Sequence, residues 1–240
     1  MPKEEKKQII SQEDVMNILN SCYEKCLNGI PKVSPSIEDF ANEYLNKYKT
    51  PEIACDMMLK NQITKCTTSG FITGFGGFIA MPVTIPANLS SVLYVQMRMI
   101  ACAAYMAGYE LSSDETQTFV YACLAGVAVN GVVKKVATQF GQKVATNLIK
   151  KIPGTVLQKI NQRVGFRFLT KFGSKGLINF GKLIPGVGAI TGGALDFVET
   201  RAIAKRAYKW FFENDFSVEK SKEDADDEEI IIDMDETILN

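Results

Sequence analysis

The residues of this chain with most chemistry to offer are cations that have lost their usual counterparts. Lys134, Lys135, Lys143, Lys150, Lys151, Lys159, Arg163, Arg167, Lys171, Lys175 and Lys182 fall between Glu115 and Asp196, and no acid lies among them. An even spread of the chain's 27 acids would put about nine in that window. The missing acids reappear at the end: residues 215–240 carry a net −9 and residues 1–214 a net +9, so the formal charge of zero conceals two opposed parts. A surface of one sign attracts anionic membranes or nucleic acid through fields that a balanced surface lacks. Lys159, Arg163, Arg167 and Lys171 recur every four residues, while Leu157, Ile160, Val164, Phe168 and Phe172 take the other side of the same helical pattern, and Phe166 stands near the charged side. Such a helix can lie in a headgroup plane, apolar side inserted, each cation contributing about 1 kcal/mol against anionic lipid. The plainer alternative is a bundle helix with a solvated charged face.

Other chemistries are narrowed by what the chain lacks. It has no histidine, which removes Ser-His-Asp and Cys-His activation, imidazole metal centres and the usual near-neutral acid–base group. Its six cysteines sit in apolar helical patterns without metal-type spacing, as buried small hydrophobes of a reducing cytosol would. Cys22 and Cys26 share a helix face, but two thiolates alone make a poor site, so no metal and no cofactor are expected. Arg98 is the only charge between Lys65 and Glu110 and sits mid-helix among apolar residues. A buried guanidinium must find partners; the pattern predicts a carboxylate, Asp196 or Glu199, or an anion site shared with Thr84 and Asn88.

The elements that position these residues are helices. Ser11 with Asp14, Ser36 with Asp39, and Thr50 with Pro51 are helix starts, and Ser112 or Ser113 opens another. Apolar spacing predicts further helices over about 87–108, 131–151, 155–172 and 188–212, with no period-2 run of any length. The expectation is an all-α fold: a single compact bundle of about seven to eight helices with two Gly/Pro-rich helix-start blocks. Those blocks are residues 70–86 and 185–196. Gly70 with Gly74, and Gly188 with Gly192, have the spacing that lets helix backbones approach closely. A phosphate loop fits less well, because the Lys-Ser/Thr ending and the preceding strand are both missing. The charged residues 1–10 are an N-terminal extension without the apolar run of an export signal; residues 11–214 form the helical domain, and the acidic residues 215–240 form a tail expected to be largely disordered.

GFITGFGGFIAMPVTIPANLSSVLYVQMRMIACAAYMAGYEL, residues 70–111, resembles the hallmark region of the EcsC family, and KLIPGVGAITGGALDFVETRAIAKRA, residues 182–207, resembles its second glycine–proline block. The glycines, Pro82, Pro86, Arg98-Met99 and the alanine-rich helix follow the family's order. The resemblance implies a helical fold of a widespread, mainly bacterial family named for a product encoded beside an ABC transporter. It implies no reaction, no cofactor and no site residue.

The residues therefore favour a non-enzymatic cytosolic protein acting at the inner face of a membrane. Its expected partner is anionic lipid or a membrane protein complex, met through the basic amphipathic face and restrained by the acidic tail. The alternatives are an enzyme with a small polar site around Arg98 and Asp196, a protein-interaction scaffold, and a nucleic-acid binder, the last disfavoured because no helix-turn-helix, zinc or aromatic-sheet module is present.

Overall fold

Each of the first helices begins where a short polar side chain can hold otherwise free amides. The structure is a computed structural model that describes residues 11–67, 87–141, 145–172 and 188–218, and of residues 65–67, 87–91, 171, 172 and 188–197 the backbone only. Ser11 accepts from the Asp14 amide while the Asp14 carboxylate accepts from the Ser11 amide at 2.8 Å, and α1 (Gln12–Asn28) follows. Ser36 accepts in the same way from the Asp39 amide and opens α2 (Ile37–Lys47). Pro51, with its φ already helical and no amide to satisfy, is the first residue of α3 (Pro51–Thr67). Next come α4 (Ala87–Met106), α5 (Asp114–Ala125) with Ser113 as its cap, α6 (Asn130–Phe140), α7 (Ala145–Ile149), α8 (Gly154–Phe172) and α9 (Gly188–Phe212).

The described residues thus form nine helices and no strand; a single bridge between Ile30 and Ser34 lies outside any sheet. The sequence predicts one helix over about 131–151, and the structure has two. Gly141 ends α6 at φ +79, in the left-handed region that glycine enters without steric cost, and only five residues of helix remain beyond it before Pro153. That break supplies the ninth helix.

The centre of the bundle is α4. It contacts α1, α2, α3, α5 and α9, and Tyr94, Met97, Ile100, Ala101, Cys102, Ala103 and Ala104 have no exposed surface. A helix packed on so many sides must be apolar all round, as its sequence is. A second packing unit joins α8 to α1 and α5. Near the end of α9, Trp210, Phe119 and Phe216 form an edge-to-face cluster with centroids 5.5 to 6.3 Å apart. The Trp210 indole N–H donates to the Ser217 carbonyl at 2.9 Å, and the Val129 amide donates to the Phe216 carbonyl at 3.3 Å, tying the residues after α9 to the start of α6.

Candidate functional site

The basic helix predicted from spacing is α8, and its two faces have different fates. Leu157, Ile160, Val164 and Phe168 are buried in the core, packed where α8 meets α1 and α5. The side expected to enter a bilayer is thus already covered by protein, which corrects that expectation. Withdrawing four such side chains would cost several times the roughly 1.5–3 kcal/mol that burial of each provides. Phe172 and Lys171 have side chains outside the described residues. What faces outward is Lys159, exposed, with Arg163 and Arg167 half-buried. Phe166 lies on the same exterior with 51% of its surface exposed.

Sequence reasoning missed a second ridge on α9. Val198, Arg201 and Lys205 are exposed and spaced i, i+3, i+7, which places them on one side of that helix. Val198 is 65% exposed and Phe166 51%, the highest of the large apolar side chains described. Arg167 and Phe168 of α8 and Glu199 of α9 line one shallow cleft with Leu93, Gln96, Leu124 and Ala125. Val198 and Phe166 each directly precede a residue of that lining. The cleft holds about one water molecule and is no pocket for an organic substrate. The helical phase of Ile203, Ala204, Ala207 and Phe211, all buried, was the signal that could have revealed the opposite ridge.

Of the remaining cations of the acid-free stretch, Lys143, Lys175 and Lys182 lie outside the described residues, and the others stand elsewhere on the exterior. Lys134 and Lys135 stand exposed on α6, and Lys150 and Lys151 at the end of α7. Lys150 is paired with Glu110 at 3.0 Å, and this partner, by hydrogen bond and charge, holds the Glu110 carboxyl below its usual range. That pair joins the basic stretch to an acid of the N-terminal half.

Arg98 is 8% exposed, as its mid-helix position predicts, and its partners among the described residues are carbonyls, a hydroxyl and a ring. Its guanidinium donates at 3.5 Å to the Cys26 and Ser36 carbonyls and to the Tyr94 hydroxyl, and lies 4.8 Å from the centre of the Phe40 ring. Planar stacking on a ring and hydrogen bonding to carbonyls suit a guanidinium better than an ammonium. Glu199 lines the cleft instead, alongside Gln96, which α-helical geometry turns to the far side of α4 from Arg98. The Asp196 and Asn88 side chains, and Thr84, lie outside the described residues. So do Gly70 and Gly74. Gly188 and Gly192 are in the first turns of α9, a helix that packs on α3 and α4.

Cys22, Cys26, Cys55, Cys102 and Cys123 are buried free thiols, and Cys66 lies outside the described side chains. Burial pushes Cys102 and Cys123 up to about 12, so neither supplies thiolate near neutral pH. No group of three metal-ligating side chains occurs among the described residues, and no helix among them is long and apolar enough to cross a membrane.

Comparison with known families matches residues 3–212 to the EcsC protein family, which covers most of the chain. No curated protein and no solved structure matches.

Proposed function

The chain belongs to the EcsC protein family, and from that premise we propose that it is a non-enzymatic protein of the cytoplasmic face of a membrane, binding anionic lipid headgroups through the outer ridges of α8 and α9. The observation that carries this reading is Phe166. A phenylalanine half exposed beside the exposed Lys159, on a helix whose other side is used by the core, suits a partner that is apolar and anionic together. The interfacial zone of an acidic bilayer is such a partner.

The same arrangement repeats on α9, where Val198 rises beside Arg201 and Lys205. Docking by these ridges leaves the bundle intact. The cations meet headgroups, Phe166 and Val198 enter just below them, and no buried helix side has to be released. A protein held this way is peripheral and reversible, because a few cations and two apolar side chains bind far more weakly than a spanning helix. The acidic residues 219–240 compete with lipid for the cations and so oppose docking at low occupancy.

Co-sedimentation with vesicles tests the reading. Binding rises with the fraction of anionic lipid and falls as salt is added, since surface charges are screened over about 8 Å at physiological ionic strength. Equal binding to purely zwitterionic vesicles, or no binding at high anionic content and low salt, refutes it. Vesicle binding abolished by a duplex DNA competitor at equal phosphate, together with tighter binding to the DNA, transfers the surface to nucleic acid instead.

A further inference from the structure

We infer that residues 219–240 dock along the exposed side and the C-terminal end of α6, with their carboxylates against Lys134 and Lys135 and the isoleucines at 230–232 against Phe140. The place where the described chain ends carries the argument. Phe216 is 2% exposed, its ring wedged against Phe119 and Trp210, and its carbonyl is held by the Val129 amide, one residue before α6 begins. The described chain therefore ends beside the start of α6.

The face it meets there suits it. Val132, Val133 and Val136 point into the core, which fixes Lys134, Lys135 and Thr138 on the outside; Phe140, in phase with the valines, is exposed where it closes the helix. No acid lies in α6, and Phe140 is 41% exposed. Asp215 shows the attraction already at work: its carboxyl is held below its usual value first by the Ser217 hydrogen bonds, and further by the charges of Lys209 and Lys134. The segment beyond it runs EKSKEDADDEEIIIDMDETILN, ten acids against two lysines around one apolar triplet. Along the helix axis, two lysines and then the exposed phenylalanine that closes the helix are met by carboxylates followed by isoleucines in the segment, in the same order from the point of attachment. Reach does not limit the contact. Ile230 stands twelve positions beyond Val218, up to about 40 Å extended, whereas Lys134 to Phe140 spans about 9 Å of helix. A covalently attached partner also acts at high effective concentration, so weak individual contacts suffice.

This docking stands without any membrane; only its consequence, that lipid binding is opposed by the chain's own end, rests on the reading above. The test accordingly uses the full chain in lipid-free buffer. A carbodiimide joins a carboxylate to an amine only when the two already touch, and mass spectrometry of the products locates each link. The expected links run from residues 223–236 to Lys134 and Lys135, and their yield falls at least about fivefold at 1 M salt, where screening shortens to about 3 Å. In a second arm, the full chain with Asp226→Asn, Asp227→Asn, Glu228→Gln and Glu229→Gln exchanges its α6 amides several-fold faster than the native chain, and those of α1 and α4 at an unchanged rate. Links spread as often to Lys25, Lys60 and Lys205 as to α6, or no links at all, overturn the inference. So does unchanged α6 exchange in the neutralised variant. Failure of vesicle binding, by contrast, leaves these readouts untouched.

Discussion

Replacing Lys159, Arg163 and Arg167 together by glutamine strips the α8 ridge of charge while leaving its core side, Leu157, Ile160, Val164 and Phe168, unaltered. At about 1 kcal/mol for each cation at an acidic surface, three amount to at most about 3 kcal/mol. Arg163 and Arg167 are half-buried and already engaged within the protein, so part of their charge is spoken for. The expected loss is nearer 2 kcal/mol, about thirtyfold in vesicle affinity at low salt. The matched control is Lys32→Gln, Lys47→Gln and Lys49→Gln, three exposed cations of the α1–α2 loop and the end of α2. It changes net charge by the same amount and is expected to lose less than about threefold, because these cations lie off the α8 ridge and act only through the long-range field. The assay is co-sedimentation over a range of anionic lipid, with thermal unfolding of each variant beside it. If the control loses as much as the α8 variant, net charge rather than a defined ridge governs binding, and the reasoning from Phe166 and its neighbours is wrong. The two curves converge as salt is raised.

Gly126→Ala is expected to destabilise the fold by about 2 kcal/mol in chemical denaturation. Gly126 holds φ +73, and an added Cβ would stand 3.2 Å from the Arg206 guanidinium nitrogen that donates to the Cys123 carbonyl at the end of α5; a loss below about 0.5 kcal/mol would show that Arg206 yields freely. The Glu110 carboxyl is depressed below 4.5 by Lys150, so its contribution is present above that value and fades as pH falls through the lowered one. Unfolding of the native chain and of Glu110→Gln at stepped pH should therefore differ at neutral pH and converge below pH 4.5. In a Cys66→Ser background the five buried thiols should resist iodoacetamide in the native protein and react once it is unfolded, as counted by mass.

How far the sequence could be read depended on the range of the interaction. Ser11, Ser36 and Ser113 were legible as helix starts because a cap is completed within three residues. The apolar run of α4 was legible because a central helix has no polar side to show. The side of α8 that faces the core was not, since one-sided amphipathicity serves a bundle and a bilayer equally; only the packing of α1 and α5 decides between them. Arg98 was recognisable as buried, yet its carbonyl partners at Cys26 and Ser36 lie 72 and 62 residues away and carry no charge to betray them. The α9 ridge escaped notice because Val198 among Asp196 and Glu199 resembles ordinary alternation of apolar and acidic residues, until the buried phase of the helix is known.

Trp210 is the only tryptophan of the chain, has no exposed surface, and gives its indole hydrogen to Ser217 beside the ring of Phe216. Its fluorescence should be that of an indole in a dry aromatic cage, emitting toward the blue. The protein thus has an optical gauge of its own, which needs no dye and responds when residues 216 and 217 leave their seat and water reaches the ring.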